Sequence, residues 1–158
     1  MKIYKLCCHQ DLPISLEQSW DFFSDPRNLE KITPKELGFH ITSDVSQGMR
    51  NGMLISYRLR LPTRNQMTWV TEIKHVDPPH GFVDEQRFGP YRFWYHEHRF
   101  RQVRDSVRCE DIVNYALPFG PLGRCAHALF VRRELEKIFN FRKVFLDDYF
   151  NTRKDGDG

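Results

Sequence analysis

The sequence contains no long apolar run, and none approaches the roughly 20 consecutive residues that a transmembrane helix needs. Its first residues show no apolar stretch followed by a small-residue cleavage site, so we expect no secretory signal and a cytoplasmic protein. The net charge is only +3, from 24 basic and 21 acidic residues. Nucleic-acid-binding domains usually carry a larger and more clustered basic excess. The sequence therefore argues against nucleic acid as a partner and against stable membrane insertion.

Cysteines and standard catalytic motifs are also scarce. The four cysteines show no CxxC spacing, and Cys7 and Cys8 are adjacent, so on a strand they point to opposite faces. The motifs GxSxG and HExxH are absent, and so is a glycine-rich phosphate loop. We therefore expect four reduced, structural cysteines, no metal ion and no cofactor, and we assign no catalytic residue.

Aromatic residues, in contrast, are abundant: they make up 14% of the chain, with 13 Phe, 6 Tyr and 3 Trp. A single domain of 158 residues buries roughly 70% of the surface that its unfolded chain exposes. The chain thus has more large aromatic rings than a compact core of that size normally needs, which favours a domain that lines a cavity. We expect one domain over residues 1–150 and a disordered tail over 151–158.

The N-terminal part of the chain predicts one strand followed by two short helices. The strand is expected at 2–10. Ser15 and Gln18 have the spacing of a capping box, which predicts a helix beginning after Ser15. Asp25 and Pro26 are typical of a second helix start, with Asp25 as the N-cap, and predict a short helix over 27–32.

The rest of the chain predicts a run of strands and one long helix. Turn residues separate six further strands, expected at 39–43, 52–61, 66–76, 81–88, 91–101 and 107–117. The segment LPFGPLG at 117–123 predicts a break, and 124–150 contains neither Gly nor Pro, which predicts a helix. Consecutive strands with tight turns favour an antiparallel meander. We therefore expect an α+β fold in which a curved sheet of about seven strands wraps the C-terminal helix.

Three stretches carry a family resemblance: FFSDPRNLEKITP at 22–34, DPPHGFVDEQRFGPYRFWYHEHRF at 77–100, and LPFGPLGRCAHALFVRRELEKIF at 117–139. Together with the order of elements, they resemble the START/Bet v 1-like (SRPBCC) superfamily of helix-grip proteins, and within it a bacterial polyketide cyclase/dehydrase-like, ligand-binding branch. The resemblance implies a deep cavity between the sheet and the C-terminal helix that holds an apolar or amphipathic small molecule. It does not identify the ligand, because the superfamily includes lipid carriers, hormone receptors and cyclases.

The alternation of side chains assigns the inner face of the sheet independently of this resemblance. Asp111 is a polar exception on a mostly apolar and aromatic wall, and Asp84 shares the inward face of its strand with Phe82. The predicted ligand-binding residues are Tyr57, Trp69, Phe82, Trp94, His96, His98, Asp111, Val113 and Tyr115.

The pairing of the strands that carry these histidines has two possible registers. In one register His96 lies opposite Asp111, but two arginines then face each other, which is unfavourable. In the other, Arg99 lies opposite Glu110 and His98 lies opposite Asp111. We favour the second register, and in both Asp111 faces a histidine.

Four interpretations of this His/Asp cluster remain open. It can be a satisfied polar network in the wall, since a buried carboxylate needs hydrogen-bond donors. It can orient a hydroxyl, carbonyl or carboxylate of a ligand. A carboxylate-oriented imidazole can also carry out acid–base catalysis. Metal binding is disfavoured because, beside His96 and His98, only Asp111 is an obvious further ligand.

These observations lead to one functional prediction and two alternatives. We predict a protein that binds, transports or senses a hydrophobic or amphipathic small molecule. One alternative is a polyketide cyclase/dehydrase-like enzyme that uses a His/Asp pair. The other is a protein or RNA interaction module, acting through a basic outer face of the sheet. The sequence does not indicate an oligomeric state. The arginines of that outer face are Arg58, Arg60, Arg99, Arg101, Arg104 and Arg108.

Overall fold

The computed structural model describes residues 1–60 and 65–154. Seven strands form one antiparallel sheet in the order β1-β7-β6-β5-β4-β3-β2, so that only the pairing of β1 with β7 joins strands distant in the chain. This confirms the predicted meander, although Leu61, the last residue of the predicted third strand, lies outside the described residues. The strands are β1 (Tyr4–Leu12), β2 (His40–Ile41), β3 (Leu54–Arg60), β4 (Gln66–Asp77), β5 (Gly81–Phe88), β6 (Phe93–Val103) and β7 (Ser106–Ala116).

The first helix, α1 (Leu16–Phe23), begins at the predicted capping box. The backbone N–H of Gln18 donates to Ser15 Oγ at 3.1 Å, and the backbone N–H of Ser15 donates to Gln18 Oε1 at 2.9 Å. Two backbone donors that the first helical turn leaves without partners are thereby satisfied. The start of α1 is therefore fixed by local chemistry that is readable in the sequence.

The second helix, α2 (Asn28–Lys31), is shorter than the predicted 27–32. Arg27 takes the cap position and makes no side-chain cap bond, although Asp25 Oδ1 still accepts the backbone N–H of Arg27 at 3.0 Å. Pro34 disfavours helical backbone for the residue before it, so the helix ends early. A single 3₁₀ turn at Lys35–Leu37 then leads to β2.

The C-terminal helical region is longer than predicted at both ends. It comprises α3 (Gly120–Ala126), a π-helical turn (His127–Val131) and α4 (Arg132–Lys154). The expected break at 117–123 was wrong in part, because proline is well tolerated in a first helical turn. Gly123 serves close packing there: a Cβ atom at this position would lie 2.1 Å from the carbonyl oxygen of Pro118.

Part of the predicted disordered tail, residues 151–154, is helical. Residues 151–154 continue α4, as the absence of Gly and Pro there allows. Residues 155–158 lie outside the described part of the chain. Within the described residues, no helix is both long enough and apolar enough to cross a membrane.

Helix α4 buries one stripe of side chains against the concave side of the sheet. The stripe follows the i, i+4, i+7 spacing of a helix face, and most of its members are apolar. Arg142 is the charged exception, with only 7% of its surface exposed. The buried residues of this stripe are Leu135, Phe139, Arg142, Leu146 and Phe150.

The hairpin between β6 and β7 has the favoured register. Arg99 lies opposite Glu110, and His98 lies opposite Asp111. Three of the six arginines assigned to the outer face lie beside carboxylates, as expected of a solvated sheet surface. The outer-face pairs are Arg99 with Glu97, Arg101 with Glu110, and Arg108 with Asp11.

Candidate ligand cavity and its His/Asp cluster

A cavity of about 380 Å³ lies between the concave side of the sheet, the segment around α2 and the C-terminal helical region. This volume falls within the range of small-molecule sites in proteins, roughly 300–1,000 Å³. Six of the nine predicted wall residues line it: Tyr57, Trp69, Phe82, Trp94, His96 and His98. These six are half of the strand residues that line the cavity, and Arg60, which was assigned to the outer face, lines it as well.

The other three predicted wall residues do not line this cavity. Val113 and Tyr115 are 0% and 3% exposed and pack against Leu135 and Phe139 of α4. Asp111 lies behind the main cavity and lines a second, smaller cleft of about 60 Å³. These three residues lie on the predicted side of the sheet but are covered at this end by α4, so their assignment as ligand-binding residues stays a prediction.

Sequence reasoning missed the cavity residues that come from helices and loops, and it missed two charged residues of the site. Asp84 was placed on the inward face but not among the site residues. Arg142 carried a readable signal, because it is the charged residue on the buried stripe of α4. The missed apolar lining includes Leu29, Ile32, Phe39, Leu135, Ile138 and Phe139.

The strand register brings together the side chains of the His/Asp cluster. His96 and His98 are two residues apart on β6, so both point inward with Cα atoms about 7 Å apart. Asp84 on β5 lies opposite His96, and Asp111 on β7 lies opposite His98. The two acidic side chains therefore flank the two imidazoles from either side, and the ring centroids of His96 and His98 are 3.9 Å apart.

Each histidine contacts both carboxylates. His96 Nδ1 is 3.1 Å from Asp84 Oδ2, and His96 Nε2 is 2.8 Å from Asp111 Oδ1. His98 Nε2 is 2.8 Å from Asp84 Oδ2, and His98 Nδ1 is 3.1 Å from Asp111 Oδ1. All four ring nitrogens thus face a carboxylate oxygen, which holds the orientation of both rings.

Two further side chains complete the cluster. Trp94 Nε1 donates to Asp84 Oδ1 at 3.2 Å, and Arg142 Nη1 donates to Asp111 Oδ1 at 3.3 Å. The Arg142 guanidinium also lies over the ring of Phe139, 4.8 Å from its centroid, in a cation–π contact. The cluster is therefore anchored to β5 at one end and to α4 at the other.

The charges of the cluster are strongly coupled. Burial would raise the pKa of Asp111, but the charge of Arg142 and hydrogen bonds from both histidines hold that pKa well below its usual range. The pKa of Asp84 is lowered in the same way: the charge and hydrogen bond of His96 outweigh burial. Burial would lower the pKa of His96, but Asp84 and Asp111 raise it to about 9. With His96 protonated, these two carboxylates, His96 and Arg142 sum to zero charge.

Two buried donors of the cavity wall have no hydrogen-bond partner among the described residues. They are Trp69 Nε1 and Arg142 Nε, and both side chains line the cavity. A buried donor without a partner costs roughly 1–3 kcal/mol. Such donors favour the binding of a molecule that brings acceptor oxygens to them.

One edge of the cavity is lined by exposed apolar side chains. Phe130, on the π-helical turn, lines the cavity and is 66% exposed. Phe119, Leu122 and Leu129 are exposed in the same part of the chain. Such apolar exposure beside an opening is typical of a ligand entrance.

Solved structures share this fold at low sequence identity. Protein Ms6760 from Mycobacterium smegmatis is 16% identical with a TM-score of 0.68, covering 94% of this chain and 92% of that chain. The di-domain ARO/CYC StfQ from the steffimycin biosynthetic pathway is 9% identical with a TM-score of 0.74, covering 97% of this chain and 52% of that chain. Ara h 8.0201 is 12% identical with a TM-score of 0.61, covering 92% and 98%.

These likenesses establish the fold, which is a helix-grip α+β fold of the Bet v 1 type. No protein-family model and no curated protein sequence matches the chain. The fold is the one that the resemblance implies, while the predicted superfamily and the branch within it stay predictions.

Proposed function

We propose that this protein binds an apolar small molecule that carries acceptor oxygens, and that it acts as a carrier or a sensor of that molecule. The observation that carries the proposal is an apolar cavity of about 380 Å³ with two unpartnered buried donors, Trp69 Nε1 and Arg142 Nε. The aromatic wall favours rings or chains, and the donors favour a carbonyl, carboxylate or sulfonate group.

The test uses two fluorescent probes that share one carbon skeleton. Anilinonaphthalene sulfonate carries an anionic acceptor group, and phenylnaphthylamine lacks it. We expect the sulfonate to bind more tightly, because a hydrogen bond to a charged group contributes about 1.5 kcal/mol, which corresponds to about tenfold in affinity.

The matched variant is Trp69→Phe, which removes the indole N–H and keeps an aromatic ring. We expect it to weaken binding of the sulfonate about tenfold and to leave binding of phenylnaphthylamine nearly unchanged. Trp20→Phe is the control, because Trp20 packs in the core and is not among the residues that line the cavity. Equal losses for both probes would contradict the assigned role of the donor.

A cyclase/dehydrase-like enzyme is the second candidate. The specific observation in its favour is that His96 and His98 line the cavity while carboxylates fix the orientation of their rings. Such imidazoles can take up and return protons beside a bound substrate. The fold neighbour StfQ, from a biosynthetic pathway, is consistent with this alternative.

One variant distinguishes a carrier from an enzyme. His98→Asn should change affinity moderately if the protein is a carrier, whereas an enzyme should lose turnover and retain binding. A molecule identified in the natively purified protein by mass spectrometry supplies the substrate for that comparison. If cavity substitutions change neither binding nor turnover, and Arg99→Glu instead abolishes a salt-dependent interaction, the outer-face alternative is favoured.

A further inference from the structure

The hydrogen-bonding capacity of the His/Asp cluster does not match its contacts. A neutral imidazole has one N–H donor and one acceptor nitrogen. Four ring nitrogens face carboxylate oxygens, so two neutral rings supply donors for only two of the four contacts. The shared oxygen Asp111 Oδ1 lies 2.8 Å from His96 Nε2 and 3.1 Å from His98 Nδ1, and it also accepts from Arg142.

When both rings donate to Asp111, three acceptor atoms converge on the other side: His96 Nδ1, His98 Nε2 and Asp84 Oδ2. One ligand atom from each of these three residues lies within 4.8 Å of the other two. Three lone-pair donors at such separations repel one another unless a cation lies between them, either a proton carried by His96 or a metal ion. We propose that Asp84, His96 and His98 bind a divalent first-row transition metal ion, with Asp111 as the positioning residue for both imidazoles.

The two distances from Asp84 Oδ2 to the imidazole nitrogens suit one ion. Asp84 Oδ2 is 2.8 Å from His98 Nε2 and 3.1 Å from His96 Nδ1. Ligands about 2.1 Å from one ion are about 3.0 Å apart at right angles and about 3.4 Å apart in a tetrahedron. These two oxygen–nitrogen distances therefore need to increase by only a few tenths of an ångström. Two imidazoles and one carboxylate are a donor set that Zn²⁺ and Fe²⁺ both use.

The surroundings have the arrangement that supports a metal site. A metal-bound histidine usually donates its second ring N–H to a carboxylate, and Asp111 stands in that position for both rings. Arg142 balances the charge of Asp111 from α4. Trp94 Nε1 occupies Asp84 Oδ1, which leaves Oδ2 free to coordinate.

The proposed metal site faces the main cavity, where the ion can contact a bound molecule. Asp84, His96 and His98 line the main cavity, whereas Asp111 does not. The remaining coordination positions of the ion therefore face the cavity, where water or an oxygen atom of a bound molecule completes the coordination. The sequence argued against a metal because only Asp111 was an obvious ligand beside the two histidines, and the β5–β6 register now offers Asp84 as a ligand instead. This inference stands independently of the proposed ligand.

The first test measures Zn²⁺ binding by chelator-treated, full-length protein, with long-range proton–nitrogen NMR of the histidine rings. We expect one equivalent of Zn²⁺, coordination at His96 Nδ1 and His98 Nε2, and protons retained at His96 Nε2 and His98 Nδ1. Absence of stoichiometric binding, or coordination at any other nitrogen, overturns the proposal. Because this test uses the unaltered chain, its outcome does not depend on the folding of a variant.

The second test compares variants by titration with Zn²⁺ and by the visible spectrum of the Co²⁺ form. Asp84→Asn should abolish stoichiometric binding, and Asp111→Asn should weaken it roughly 10–100-fold, as is typical of outer-shell partners. His80→Asn is the control, since the exposed His80 lies near only one carboxylate, that of Asp77, at 3.8 Å. Should Asp84→Asn fail to fold, His98→Gln replaces it. Equal affinities of the unaltered protein and the Asp84 variant refute the site.

Discussion

Replacing Arg142 by methionine tests whether the buried cluster depends on the charge that α4 supplies. Methionine keeps most of the apolar stem and removes the guanidinium. The change breaks the 3.3 Å contact to Asp111 and the cation–π contact with Phe139. Asp111 then stays in place, with 17% of its side chain exposed, and has lost its permanent cation.

The magnitude follows from the burial of the pair. Removing one partner of a buried ion pair costs about 3–5 kcal/mol, because the other charge stays in a poorly solvated place. Two terms reduce this figure: His96 and His98 continue to contact Asp111, and the unpartnered Nε donor of Arg142 disappears with the side chain. We therefore expect Arg142→Met to lower the free energy of unfolding by about 2–3 kcal/mol.

The assay is urea unfolding in the presence of a chelator, which keeps metal binding out of the comparison. Arg101→Met is the matched control, because Arg101 pairs with Glu110 at 3.2 Å on the exposed outer face. An exposed pair of this kind contributes less than about 1 kcal/mol. The double variant Arg142→Met, Asp111→Asn should be less destabilised than the sum of the single changes, by about 1 kcal/mol or more.

Two results would refute this reasoning. If Arg142→Met destabilises no more than Arg101→Met, the cluster does not need the charge of α4 for its stability. If Arg142→Met stabilises the protein, apolar packing by the methionine side chain is more favourable than the ion pair, as happens for some buried ion pairs.

Two further predictions concern Asp25, in the turn before α2, and Gly123, near the start of the C-terminal helical region. Asp25→Ala should cost about 1 kcal/mol in urea unfolding, and Asp21→Ala, at an exposed position on α1, should cost less than about 0.5 kcal/mol. The hydrogen bond from Arg27 lowers the pKa of Asp25 below its value in the unfolded chain. The contribution of Asp25 to stability is therefore complete above the unfolded pKa of about 4 and is lost as the pH falls through the folded pKa. If the stability difference between the two variants is the same at low and neutral pH, this pH dependence is contradicted. Gly123→Ala should destabilise by about 1–3 kcal/mol, because its Cβ would lie 2.1 Å from the backbone oxygen of Pro118, and an unaltered thermal midpoint would show that the backbone yields without strain.

The parts of the fold that were predictable are those that local chemistry determines. Ser15 and Gln18 determine the start of α1 through their own hydrogen bonds. The observed β6–β7 register places Arg99 opposite Glu110 and contains one like-charged pair, Arg101 with Arg108, whereas the alternative register would contain two. These signals act between neighbours in sequence or directly across one hairpin, so a single sequence is sufficient to read them.

The parts that were not predictable depend on how distant elements pack. Alternation shows that Val113 and Tyr115 point inward, but it cannot distinguish a side chain facing a cavity from one covered by α4. Asp84 and Asp111 both point inward, yet only Asp84 reaches the main cavity, because α4 crosses the β7 side of the sheet. Arg142 lies on the buried stripe of that helix, and its partner Asp111 is 31 residues away in sequence.

The cluster lies on the boundary between the packed part and the open part of the interior, and this position explains its asymmetry. On the packed side, Asp111 is held by Arg142 beneath α4. On the open side, Asp84, His96 and His98 line the cavity. A group whose far side is already held loses little conformational freedom when it binds something on its near side, so its binding energy is retained. A metal ion that enters the cavity therefore meets rings whose orientation Asp111 has already determined, and weakening Asp111 should reduce metal binding even though Asp111 does not line the cavity.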